Sequence, residues 1–169
     1  MNWQAIGVVA DIVSAIAVVG SLIYLAIQLR QNTRQSRADN VQASVERWIE
    51  ANVSPMRSEE SADFLRNALN DYSVLSIPQR ARLNAFLLEL TSAFQAMYVK
   101  HRSGLLDAEL YATVRFNIGG YLKCPGLAAL WSEVKFAFPR DLCREIDAAI
   151  EAHQGSPYTE TLPYFRPDA

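Results

Sequence analysis

The chain opens on an apolar run from Ala5 to Leu29, and no charged residue interrupts it between Ile12 and Leu29. Within that stretch Ser14, Ser21, Tyr24 and Gln28 supply the polarity. A helix of this length rises about 27 Å, close to the hydrocarbon thickness of a bilayer. Ile, Val and Leu together contribute roughly −3 to −6 kcal/mol on insertion scales. Asp11, near the outer end of the run, opposes that by at most about 3 kcal/mol. The pattern predicts a transmembrane helix over residues 1–29.

The run also has two unlike faces. A 3.5-residue period collects Gly7, Ala10, Ser14, Ala17, Ser21, Tyr24 and Gln28 on one stripe, with Asp11 beside it. Ile12, Ile16, Val19, Ile23 and Ile27 fall on the other. In lipid, small residues let helix backbones approach, and Ser or Gln can bond across the contact. The small stripe is therefore the expected helix–helix interface, and the branched stripe suits acyl chains.

Arg30, Arg34 and Arg37 follow at once, whereas residues 1–29 contain no Lys or Arg. Basic residues beside a span stay on the cytoplasmic side. The expected topology is single-pass, with the N-terminus outside and the C-terminal domain in the cytoplasm. The three arginines form a membrane-surface basic group, each worth about 1 kcal/mol against anionic lipid.

No Gly or Pro occurs from residue 30 until Pro55, and Val41, Val45, Trp48 and Ile49 recur at helical spacing. One helix from about Trp3 to Asn52 is expected, with residues 30–56 as a juxtamembrane extension. Residues 57–155 then read as a cytoplasmic helical domain. Glu59, Glu60 and Asp63 suit the first turn of a helix that buries Phe64, Leu65, Ala68 and Leu69. Ser76-Ile77-Pro78-Gln79 has capping-box spacing ahead of Leu83, Phe86, Leu87, Leu90, Phe94, Met97 and Tyr98, and Gly104 follows. Asp107 can cap a helix carrying Leu110, Val114 and Ile118, which is expected to run out at Gly119-Gly120. Cys124-Pro125-Gly126 turns into a short helix with Leu127, Leu130 and Trp131. Phe138-Pro139 opens a last helix, with Leu142, Ile146, Ala149 and Ile150 inward and Gly155 as its stop. Residues 156–169, with Pro157, Pro163 and Pro167, lack a helical period and read as an irregular tail across the domain. The fold class is all-α: a long N-terminal transmembrane helix continuing into a small helical bundle.

Charge changes this picture little. The 16 Lys and Arg and 18 Asp and Glu are interleaved, giving a formal net charge of −2 and no basic stripe for nucleic acid. Chemistry is equally sparse. His101 and His153 sit near predicted helix C-termini, where a cation complements the dipole. Neither completes the Glu-x-x-His spacing of a bundle metal site. Cys124 and Cys143 lack zinc-like spacing and read as free thiols, although a thiolate at the helix start after Cys124 would be stabilised. Asp141, Glu145 and Asp147, with Arg140 and Arg144 interleaved, read as a solvated face. No catalytic, cofactor-binding or metal residue is assigned, and no cofactor is expected.

The opening, Trp3-Gln4-Ala5-Ile6-Gly7 through Ser21-Leu22-Ile23-Tyr24-Leu25-Ala26-Ile27-Gln28-Leu29-Arg30-Gln31-Asn32-Thr33, resembles a large group of bacterial membrane proteins of unknown function. Gly104-Leu105-Leu106-Asp107, Cys124-Pro125-Gly126 with Leu130-Trp131, Phe138-Pro139 and Ile146-Asp147 resemble the same group. The resemblance implies a bacterial inner-membrane protein and supplies no catalytic residues. The expected function is a non-enzymatic, membrane-anchored interaction protein that associates with itself or with another membrane protein through the span. The alternative is a membrane-tethered sensor or small-ligand module, with a pocket lined by Phe86, Phe94, Tyr98, Phe116 and Trp131.

Overall fold

In the computed structural model the chain is all-helical. The structure describes residues 3–166, with residues 3–17 and 34 described by their backbone alone. Two compact units divide it, Met1–Asn40 and Val41–Ala169. Helix α1, Trp3–Val53, runs without a break through Asn32 and ends where Pro55 cannot continue it, in a 3₁₀ turn over Ser54–Met56.

The second unit follows from its caps and apolar periods. Helix α2 (Glu59–Asn70) starts at Ser58, whose hydroxyl accepts from the Ser61 N–H, and Glu59 and Glu60 lie in its first turn. Helix α3 (Ile77–Arg102) starts with the expected capping box: the Gln79 side chain accepts from the Ser76 N–H at 2.9 Å. It ends before Gly104, which takes φ +67°, a left-handed conformation that glycine adopts without strain. Asp107 caps α4 (Ala108–Leu122) by accepting from the Glu109 and Leu110 N–H groups. Helix α5 (Pro125–Val134) has Pro in its first turn, and α6 (Arg140–Ala152) follows a 3₁₀ turn at Lys135–Ala137.

The core gathers one face of each helix. Leu83, Leu87, Leu90, Phe94 and Met97 of α3 meet Ile118 and Leu122 of α4, Leu127 of α5, Ile146 of α6, and Leu65 and Leu69 of α2, all fully buried. Burying each such side chain contributes about 1.5–3 kcal/mol. Helices α4 and α6 pack closely, α3 lies on α4, and α5 on α2. Trp48 and Ala51, near the end of α1, are buried in this same core. The residues of the expected juxtamembrane extension from Val41 onward therefore belong to the second unit.

Three local expectations are corrected. Gly119-Gly120 does not end α4, which runs on to Leu122. The pair lies inside the helix because neighbours come too close for a side chain: a Cβ on Gly119 would stand 2.6 Å from the Ala149 carbonyl oxygen, and one on Gly120 2.6 Å from the Tyr158 ring. Gly155 does not stop α6. The helix ends at Ala152, and the Lys123 ammonium reaches over from α4 to bond the carbonyls of His153 and Gly155. The tail is not irregular throughout. It forms a helical turn, α7 (Tyr158–Thr161), and a 3₁₀ turn at Pro163–Phe165 that buries Phe165, and Asn70 of α2 holds the Phe165 carbonyl at 2.8 Å.

Candidate functional site: the apolar face of the first helix

Within the first unit, every residue from Val18 to Leu29 is exposed. Val18, Val19, Leu22, Ile23, Tyr24, Leu25, Ile27 and Leu29 are each at least half exposed, up to 69 % at Leu29. These positions advance 100° apiece and so surround the helix on all sides. A water-facing helix would place polar residues on at least one face. This segment has none, apart from a line through Ser21, Tyr24 and Gln28. On that line the Gln28 amide donates to the Tyr24 hydroxyl at 2.7 Å, along the helix.

Of the stripe named from sequence, Gly7, Ala10, Asp11, Ser14 and Ala17 lie outside the residues whose side chains are described. Ser21, Tyr24 and Gln28 share one exposed face. Arg30 and Arg37 are exposed beyond the run, with Leu29 and Thr33 beside them, and the Arg34 side chain lies outside the described set. Among the described residues no helix is long and apolar enough to cross a membrane. The part of the run with described side chains starts at Val18, and Val18–Leu29 rises only about 18 Å.

The second unit holds its reactive groups in structural contacts. Cys124 is fully buried, its thiol facing the Gly120 carbonyl at 3.4 Å, and burial raises its pKa above the usual thiol range. This is the opposite of an activated thiolate. The His153 ring is buried against Phe116, with Nδ1 3.0 Å from the Phe116 carbonyl oxygen, and His101 stacks on Tyr111 at 4.1 Å. Among the described residues no cluster of three or more His, Cys, Asp or Glu could hold a metal ion.

The acidic residues of α6 are not merely solvated, as the sequence suggested. Glu145 accepts from the Tyr111 hydroxyl at 3.0 Å and from Arg115 Nε at 2.8 Å, tying α6 to α4. Asp147 accepts from the Trp131 indole at 2.9 Å and pairs with Lys135. Asp141 is paired with Arg144 and Arg102.

Of the five aromatic residues expected to line one pocket, Phe94 and Tyr98 stack on each other at 6.5 Å. Phe86, Phe94 and Trp131 are core residues, Tyr98 is half-buried, and Phe116 is 52 % exposed on α4. An aromatic groove of about 410 Å³ instead lies between the end of α1 and the folded tail, lined by Trp48, Asn52, Asn117, Tyr121, Tyr158 and Tyr164 among others. Its aromatic side chains come from three distant segments. The sequence placed the tail across the domain, but with no helical period it did not show that Tyr158 and Tyr164 would stand against Trp48 and Tyr121.

Comparison with protein-family models, curated proteins and solved structures finds no match to this chain.

Proposed function

We propose that this chain is a membrane-anchored, non-enzymatic interaction protein. A single N-terminal span would hold the helical domain at the cytoplasmic face of a bacterial inner membrane. The observation that carries this reading is the exposed apolar girdle at Val18–Leu29, preceded by a run that stays free of charge back to Ile12. Moving one such side chain out of water is worth about 1.5–3 kcal/mol, so the girdle as a whole favours lipid or a partner helix by an amount on the order of 10 kcal/mol. The arginines from Arg30 onward, after a start without Lys or Arg, favour an N-terminus outside.

The test is alkaline carbonate extraction of cell membranes combined with reporter fusions. Retention in the pellet, with a C-terminal fluorescent protein that glows and an N-terminal alkaline phosphatase that is active, is the expected result. Release into the supernatant would refute the anchor. Leu22→Arg with Leu25→Arg should abolish retention, since two charges near mid-span cost about 5–7 kcal/mol.

A second reading, a tethered small-ligand module, rests on the groove between Trp48, Tyr121, Tyr158 and Tyr164. Aromatic walls with the amides of Asn52 and Asn117 suit a flat, polar-edged ligand. Quenching of Trp48 fluorescence by a small-molecule panel, lost in Tyr158→Ala, would favour it.

A further inference from the structure

The small stripe of α1 does not end at the last apolar residue. The same 3.5-residue period that gives Ser21, Tyr24 and Gln28 continues through Gln31, Gln35 and Ala38. All six are exposed on the helix. Charges are dense just here, at Arg30, Arg34, Arg37 and Asp39, yet every one of them falls off this line. With Ser21, Gln28 and Gln35 as a positions and Tyr24, Gln31 and Ala38 as d positions, Arg34 occupies g and Asp39 the e of the following heptad.

We propose that this face is the seam of a parallel homo-oligomer, and that its partner is a second copy of the same helix. The proposal rests on the anchor reading above and names the partner that reading leaves open. Glutamine fits a self-pairing seam because its amide both donates and accepts, so Gln28, Gln31 and Gln35 can each bond their own counterparts across the contact. Such polar layers contribute little attraction but fix register, as buried amides do in coiled coils. The small residues of the apolar run provide the close approach.

The charges select the orientation. Arg34 and Asp39 are five residues apart, not the three or four that let a pair close along one helix. In a parallel pair, g of one helix lies beside the next e of its partner, which sets Arg34 against Asp39 of the second copy, twice by symmetry. In an antiparallel pair g meets g and e meets e, so arginine would face arginine. Copies of a single-pass protein share one orientation in the membrane, which makes parallel packing the arrangement available to them.

The test is disulfide cross-linking of the full chain in native membranes, in a Cys143→Ser background that keeps the buried Cys124. Single cysteines are placed on the seam (Gln31→Cys, Gln35→Cys) and off it (Thr33→Cys, Ser36→Cys), and mild oxidant is added. The expected result is a covalent dimer formed several-fold more efficiently at the two seam positions. In the Gln35→Cys background, Arg34→Glu should lower the yield, and Arg34→Glu with Asp39→Arg should restore it. Equal yield at all four positions, no dimer, or cross-links only to a different protein would overturn the seam. Carbonate extraction of the same samples separates the two readings: chain retained in the pellet without seam cross-links refutes the seam alone, and chain released refutes the anchor on which it rests.

Discussion

Gly126 stands against the backbone of Ala68 so closely that a Cβ built on it would lie 1.7 Å from the Ala68 carbonyl oxygen. That contact brings the first turn of α5 onto the last turns of α2. Gly126→Ala must push the two helices apart, and it should cost about 3 kcal/mol or more. Gly119→Ala, 2.6 Å from the Ala149 carbonyl oxygen, should behave similarly between α4 and α6. Gly20→Ala meets nothing within 4 Å and should leave stability unchanged or slightly raised. Thermal unfolding of the three variants in detergent, followed by circular dichroism, checks this ordering.

Glu145 joins α6 to α4 through two donors, the Tyr111 hydroxyl and Arg115 Nε. Glu145→Ala strands both and should cost about 1–3 kcal/mol, whereas Tyr111→Phe removes one bond and should cost about 1 kcal/mol. The double variant should lose less than the sum, because both changes break the same bond. Denaturant titration of the four chains measures the coupling; strict additivity would mean that the contact carries no energy.

Alkaline pH should unfold the second unit. Burial pushes the Tyr158 hydroxyl up to about 12 and likewise raises Tyr111 and Tyr121, with the Glu145 carboxylate adding to the effect at Tyr111. An unfolded tyrosine ionises near 10. The stability these groups supply is therefore complete below about pH 10 and lost as pH climbs from there toward the folded values. The melting temperature should fall through that window. Part of the phenolate absorbance should develop only as helical signal disappears, and full titration with the helices intact would contradict the burial of these rings.

The two thiols should differ in access. Cys124 is fully buried and Cys143 only half-buried, while burial raises the pKa of both. Iodoacetamide should label Cys143 slowly in the native chain, faster at higher pH, and reach Cys124 only after denaturation. Mass spectrometry of the two tryptic peptides reads the result; native labelling of Cys124 would indicate that α5 opens away from α4.

Much of the helical plan could be read directly, because its signals are local. Pro55, the acidic first turn at Glu59 and Glu60, the Ser76–Gln79 box, Gly104, Asp107 and Pro125 each act within a few residues of themselves. The misreadings are all cases of distant chain deciding local behaviour. Gly119-Gly120 looked like a helix end and is a point of close approach to Ala149 and Tyr158. Glu145 and Asp147 looked solvated because Tyr111, Arg115 and Trp131, their donors, lie 34, 30 and 16 residues away. Gly155 looked like a stop, yet Lys123 from another helix does the capping. The aromatic groove was hidden for the same reason, since Tyr158 and Tyr164 meet Trp48 and Tyr121 there from distant parts of the chain.

Trp48 and Ala51 give α1 a double membership, since the final turns of that helix are part of the domain's interior. A recombinant fragment cut at the obvious punctuation, Pro55, would leave a hole where an indole belonged and would be prone to aggregate. The smallest piece that carries its own core starts at Val41, and a protease that clips before that residue should liberate an intact folded body.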